Sequence, residues 1–456
     1  MKVSIITTFP QLYDAFLSTS LIKIAQQNNL VEFSLVELSS LCQPGKRIDE
    51  STVGPGPGMI LKPKIIGKAI EKCISTHGPG FKIFFSPQGT KLSQPLLRSM
   101  ASHISVATAN TPSTSETELL QEHIILVCAR YEGIDARVEA KYADLVLSIG
   151  DYVLMGGDLP AQVFIEGFLR LLPGVLGSEE SAKTESFESP FFDHPEYGLP
   201  TTWHEQTIPP IVQSGNHKAI SEWRKNEAAQ KTILNRFDWF RSQQPSAKDQ
   251  AIAKKYIPPH YVVLMHDQVV VRNANASTTS VTSLDLHDIA RACATYDIKN
   301  FFVVTPLKDQ QSIVKEFINF WTNEHGKKYN PSRFTAVSRL ILCSSLDDVM
   351  DKINEQEGKT PFLVTTSAKK HNHEKYIDYN DQALVWESQK PVLILIGTGQ
   401  GLQDQLIEKS NFLLLPIDGM SNYNHLSVRA ATGIILDRWL GLQHTITRSP
   451  FKGSRK

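Results

Sequence analysis

Three glycines, Gly150, Gly156 and Gly157, crowd the run 149–160, which opens directly out of the apolar stretch 145–147. A glycine loop at the end of an apolar run lets backbone N–H and C=O groups close on a flat ligand with no Cβ in the way. The arrangement recurs twice upstream. Ala129, Arg130, Tyr131, Glu132 and Gly133 follow the strand-like run 124–128, and Ser86, Pro87, Gln88 and Gly89 follow the run 81–85. One such loop reads as an ordinary turn. Three of them, each behind a strand-length apolar run, predict an open α/β sheet whose strand carboxyl ends enclose one ligand crevice.

The chain has 456 residues, more than a single core accommodates, so two or three domains are expected. Residues 1–177 alternate short apolar runs (3–6, 30–35, 81–85, 124–128, 145–147) with helix-like segments, the pattern of a mainly parallel sheet. Residues 178–202 are polar without a sustained period and read as a connector that is functional or disordered. Residues 203–245 turn helical, with Asn216 as a helix cap and Ile220 and Trp223 on one face. Residues 246–258, running up to the Pro258-Pro259 pair, read as a linker. A second α/β region over 259–442 carries strands at 261–266, 301–305, 361–366 and 392–396, and helices at 285–295 and near 424–440. Residues 443–456 form a basic tail with Arg448, Lys452, Arg455 and Lys456.

Lys and Arg number 47, as do Asp and Glu, so any nucleic-acid contact must come from local basic patches instead of a uniformly basic surface. The five cysteines show no Cys-x-x-Cys pair and no metal spacing; they read as reduced thiols, and no metal is expected. Apolar runs such as 392–396 are too short to span a bilayer and the start lacks a signal-peptide pattern, so a cytoplasmic, non-membrane protein is expected.

The first 240 or so residues resemble the bacterial tRNA (guanine-N1) methyltransferase family of the SPOUT class. The resemblance rests on Phe9-Pro10, the segment 54–59, Ser86 to Gly89, Arg130 to Asp135, 149–160, 173–177 and 214–217. It implies a trefoil-knotted α/β domain that binds S-adenosylmethionine, a tRNA substrate methylated at N1 of the guanosine 3′ of the anticodon, and a homodimer. Carried onto this chain, the donor residues are Ser86, Pro87, Ala129, Glu132, Ile149, Gly150, Asp151, Tyr152, Val153, Leu154, Gly156 and Gly157. Guanine N1 holds a proton at neutral pH, so the reaction needs a base for it and a cation near O6. The resemblance places Arg170 and Glu185 in those roles, and Asn216, His217 and Arg224 at the RNA. Four features depart from the family pattern: Glu185 stands where an aspartate is usual, Ala129 where a glycine is usual, Met155 replaces a small hydroxyl residue, and 50–53 differ. A non-catalytic RNA-binding protein with a decayed site is the competing reading.

Residues 258–442 resemble a predicted SPOUT RNA methyltransferase family, on the segments 284–291, 304–308, 397–402, 415–417 and 423–431. The whole chain is thus expected as two knotted SPOUT domains with parallel sheets and a small helical domain between them. Gly397, Thr398, Gly399, Ile417 and Leu426 would face a second donor molecule, Asn424 would cap the last helix, and Arg291 or Arg429 would face substrate or pair with nearby acids. The same 397–401 glycines permit a nicotinamide-binding alternative, although Leu402 stands where the third glycine of a dinucleotide fingerprint belongs.

Overall fold

The structure is a computed structural model that describes residues 1–55, 58–106, 123–176, 185–271, 276–371 and 374–443. The chain divides in sequence between Glu188 and Ser189 into two compact units.

The first unit holds a sheet of five strands, β1 (Lys2–Thr7), β2 (Glu32–Glu37), β3 (Phe81–Lys91), β4 (His123–Val127) and β5 (Leu145–Ser148), in the order β2-β1-β4-β3-β5. All neighbours run parallel. Successive side chains on a strand point to opposite faces, and the core is sorted accordingly. Ile5, Ile83 and Leu126 join one buried cluster with Leu97, Phe164 and Phe168. Their neighbours Ile6, Phe84 and Val127 join another with Ile66, Ile70 and Cys73. The first face is covered by α2 (Gln94–Val106) and α4 (Asp158–Leu169), the second by α1 (Pro63–His77), whose Ile66, Ile70 and Cys73 recur at helical spacing; α3 (Ala136–Tyr142) follows the second loop. Coverage of both faces explains why β4 is buried at every position. The loop 86–89 is an excursion inside β3 instead of its end. Pairing with β5 breaks after Phe85 and resumes at Thr90 opposite Leu147.

The second unit is built on seven parallel strands: β6 (His260–Met265), β7 (Asn300–Val304), β8 (Leu340–Cys343), β9 (Phe362–Thr366), β10 (Tyr376–Ile377), β11 (Val392–Gly397) and β12 (Phe412–Leu414). Their order is β8-β7-β6-β11-β9-β12-β10. Helices α5 (His217–Asn235), α6 (Phe237–Ser242), α7 (Ala247–Ala253), α8 (Ser283–Thr295) and α9 (Val428–Leu440) belong to the same unit. Asn216 caps α5 as expected, its side chain accepting from the Ala219 amide. The stretch expected as a linker instead carries α7, whose Ser246 and Asp249 form a reciprocal capping box. The helical region also shares its core with the sheet: Ala229, Ile233, Phe237 and Phe240 lie in one buried cluster with Trp386, Ile435 and Trp439.

One expectation about α9 changes. Its cap is Ser427, in extended conformation and accepting from the Ala430 amide, and not Asn424. Asn424 lies in the preceding irregular loop, where its amide donates to the Ala368 carbonyl (2.9 Å). The tail from residue 444 onward lies outside the described residues.

His260 opens β6 and is wholly enclosed. Its Nδ1 donates to the Pro258 carbonyl (2.7 Å), so Nε2 keeps its lone pair and accepts from the indoles of Trp386 (3.2 Å) and Trp439 (3.0 Å). Burial pushes its pKa down to about 4.

Candidate active site

At the carboxyl end of the first sheet the second and third loops are joined backbone to backbone. The Gly157 amide donates to the Ala129 carbonyl (2.8 Å), and Arg130 and Gly156 form an antiparallel bridge. A Cβ on Gly157 would stand 2.8 Å from the Ala129 nitrogen and 2.9 Å from the Cys128 Cα, and one on Gly156 would stand 2.8 Å from the Ala129 carbonyl oxygen. These glycines are therefore needed for close approach of two chains, since Gly157 itself has an ordinary φ of −82°.

Beneath the junction lies Asp158, the first residue of α4 and 1% exposed. Its carboxylate accepts from Arg130 Nε (3.0 Å), the Thr7 hydroxyl (2.5 Å) and the Tyr13 hydroxyl (3.2 Å), and pairs with Arg130 Nη2 at 2.8 Å. The Arg130 guanidinium also lies 4.7 Å from the centre of the Phe9 ring. Burial, with the Cys128 and Asp158 groups beside it, raises the Tyr13 pKa, so the hydroxyl stays a donor. Sequence reading missed this anchor. Its signal was present in Phe9 and Arg130, which mark the family pattern without stating their role.

The three loops enclose a cavity of about 430 Å³, within the range of small-molecule sites. Ser86, Pro87, Ala129, Glu132, Ile149, Gly150, Tyr152, Val153, Leu154, Gly156 and Gly157 all line it. Asp151 does not: its side chain is 89% exposed and pairs with Lys91 at 3.2 Å. Pro87, Ile149 and Leu154 offer apolar walls, Glu132 a carboxylate, and Gly150, Gly156 and Gly157 bare backbone. That set fits S-adenosylmethionine, whose adenine is flat and whose sulfonium is positive.

Arg170 caps the carboxyl end of α4 and holds Glu185 through Nη2 (2.6 Å). The hydrogen bond to Glu185 raises the Arg170 pKa. Nearby, Glu188 accepts from Arg98 (2.5 Å) and Gln94 (3.1 Å), which ties the described part of the connector to α2. The pair predicted to do chemistry is thus brought together, but neither member lines this cavity. Asn216 is occupied as a cap, His217 begins α5, and Arg224 pairs with Glu196 at 3.3 Å. These three belong to the second unit.

The second unit has its own cavity, about 960 Å³, at the carboxyl ends of β6, β9 and β11. Gly397, Thr398, Gly399 and Leu426 line it, whereas Ile417 packs against the apolar core. The loop after Gly397 is held by the strand Val269–Val270: the Gln400 amide donates to the Val270 carbonyl (2.8 Å) and the Val270 amide to the Gly401 carbonyl (2.9 Å). Only a five-residue helix, Asp404–Glu408, follows. A dinucleotide loop needs a long helix whose amino end faces the phosphates, so the nicotinamide reading is not favoured. Arg429 pairs with Asp285 (3.1 Å) and Asp288 (3.5 Å), and Arg291 borders a separate depression beside Arg333. A further cavity of about 820 Å³ is bordered by charges already engaged with one another, Lys254 and Arg339 with Asp297 and Lys299 with Glu357. Among the described residues no cluster of His, Cys, Asp and Glu could hold a metal, and no helix is long and apolar enough to cross a membrane.

Residues 1–242 match the family model described as tRNA (Guanine-1)-methyltransferase TrmD, and residues 259–441 match that of a SAM-dependent RNA methyltransferase. A protein of Oleidesulfovibrio alaskensis named tRNA (guanine-N(1)-)-methyltransferase is 32% identical over 447 residues, covering 97% of this chain and 99% of its own. A namesake from Nitratidesulfovibrio vulgaris is 33% identical with the same coverage. One from Syntrophomonas wolfei is 35% identical over 240 residues, 52% of this chain and 89% of its own. The chain belongs to the tRNA (guanine-1)-methyltransferase family and carries a SAM-dependent RNA methyltransferase domain behind the first.

Proposed function

We propose that the first unit transfers a methyl group from S-adenosylmethionine to N1 of the guanosine 3′ of the tRNA anticodon, and that the second unit is another RNA methyltransferase. Similarity to full-length relatives named for guanine-N1 methylation of tRNA supports the first part. The observation that carries it is the joined-loop cavity on the same unit as the Arg170–Glu185 pair. The bound donor supplies an electrophilic methyl group. The chain supplies position and proton handling: the 129–133 and 149–157 loops hold the donor, Glu185 accepts the N1 proton, and Arg170 stabilises charge growing on O6. In the free protein Arg170 holds Glu185 through its Nη2 (2.6 Å), and guanine would have to enter between them.

A homodimer completes this reading. Val153 and Met155 of the third loop are 86% and 88% exposed, and Leu159 and Val163 on α4 are 54% and 48% exposed. A second copy laid on this apolar face would bring its own Arg170 and Glu185 towards the cavity that neither lines within one chain. Both domains are taken as SPOUT knots in a cytoplasmic enzyme, with α5, including Asn216, His217 and Arg224, contacting tRNA.

The test is methyl transfer from labelled S-adenosylmethionine to tRNA lacking the guanine-N1 mark. The full chain is compared with Glu185→Gln, which should lose roughly a hundredfold, a size that loss of a general base reaches. Donor binding without transfer in the unaltered chain would favour the decayed-site reading instead.

A further inference from the structure

The second cavity contains a histidine whose protonation pattern is dictated by its neighbours. His266 follows β6, is 1% exposed, and forms part of the cavity wall. Its Nδ1 lies 3.0 Å from the Thr279 hydroxyl, which lies 2.5 Å from the Thr398 hydroxyl, which in turn donates to the Met265 carbonyl at 2.8 Å. A carbonyl can only accept, so the single Thr398 proton is committed to Met265. Thr279 must then donate to Thr398, and its own oxygen can only accept from His266. The relay runs one way and fixes the neutral ring with its proton on Nδ1 and a bare lone pair on Nε2. That Nε2 is buried and has no hydrogen-bond partner among the described residues. Burial holds the ring's pKa down at about 4 in spite of the Asp285 carboxylate beside it, which is itself engaged by Thr282 and Arg429.

A buried acceptor left unpaired costs more than its hydrogen bond would contribute, and it persists where something else completes it. We propose that His266 reads the ligand of the second cavity, its Nε2 accepting a hydrogen bond from an N–H or O–H of a molecule bound against the 397–400 loop. This rests on the reading of the second unit as a methyltransferase. The donor hydrogen can come from S-adenosylmethionine, through its amino or ribose groups, or from the RNA nucleotide to be methylated. His266 is a recognition residue, and its fixed tautomer rejects ligands that present only acceptors there, because two facing lone pairs repel.

The test is the imidazole ¹⁵N spectrum of the full chain labelled at histidine, with the His266 signals assigned by their loss in His266→Gln. The free protein should show His266 protonated at Nδ1 and bare at Nε2. Thr279→Val, which removes the acceptor for Nδ1 without touching the ring, should release the lock and yield both tautomers. S-adenosylhomocysteine and total transfer RNA are then added separately, and the Nε2 signal should move upfield with one of them, identifying the source. His425 lines the same cavity and is exposed, so its ring reports occupancy independently. If His425 responds to a probe and Nε2 responds to neither, or if the free ring carries its proton on Nε2, the inference is overturned while the site reading stands. If neither ring responds to either probe, the cavity is not the ligand site and both fall.

Discussion

Lowering the pH should destabilise the second unit through two buried histidines, by an amount that follows from their folded and unfolded pKa values. His260 and His266 are both held neutral by burial, at about 4 against an ordinary 6.5. Between those values the unfolded chain binds protons that the folded chain refuses, so stability is complete above the unfolded pKa and falls as pH drops towards the folded one. From about pH 7 to about pH 5 each ring should remove roughly 2 kcal/mol, and the two together about 4 kcal/mol. Carboxylates held low in this unit, such as Asp249 and Glu357, lose their contribution only at lower pH, in the carboxylate range, which keeps the two effects apart. The assay is built into the chain. Trp203, Trp223, Trp239, Trp321, Trp386 and Trp439 are its six tryptophans, and all lie in the unit Ser189–Thr445. Urea unfolding followed by tryptophan fluorescence therefore isolates that unit. His260→Gln, whose amide oxygen can accept from one indole, should be less stable at neutral pH but lose only about half as much on acidification. Equal unfolding free energies at the two pH values, or an unchanged pH dependence in the variant, would refute the reasoning.

Asp158→Asn strips the charge from the anchor under the donor loops and leaves Arg130 unpaired; about 3 kcal/mol of local stability should be lost, read as faster hydrogen exchange in β4 and α4. Gly157→Ala places a Cβ 2.8 Å from the Ala129 nitrogen; an overpacking cost of about 1–3 kcal/mol should weaken S-adenosylhomocysteine binding to the first unit roughly 10- to 100-fold by calorimetry, and unchanged affinity would show that the loops part freely. Val163→Asp, on the exposed apolar face of α4, should convert the proposed homodimer to monomer by sedimentation, with transfer activity lost in parallel.

The three loops were legible in the sequence because each follows a strand-length apolar run and the three recur together, and nearly all residues expected there line one cavity. Asp151 lies outside that lining because a loop residue's direction is not encoded by its place in a motif; its side chain pairs with Lys91. The role of the Asp158 anchor could not be read from Phe9 and Arg130 alone, because its hydroxyl partner Thr7 is 151 positions away, a distance only the folded sheet closes. Two serviceable caps, Asn424 and Ser427, stand near the start of α9, and local preference ranks them almost equally. The loop that draws Asn424 to Ala368 decides between them. The segment 246–258 read as a linker because its prolines are conspicuous, while the capping box that starts α7 is quieter.

The shared core of the helices and the second sheet has a bearing on how such a chain can change over generations. Relatives such as that of Syntrophomonas wolfei match this chain over 240 residues and little beyond, so a guanine-N1 enzyme without the second sheet is a form the family tolerates. In this chain Phe237 and Phe240 are committed to Trp386 and Trp439. A premature stop near residue 242 would leave those aromatic faces bare, favouring aggregation or proteolysis over a working short enzyme. Loss of the second domain from such a chain would therefore carry a folding cost that is independent of that domain's own activity.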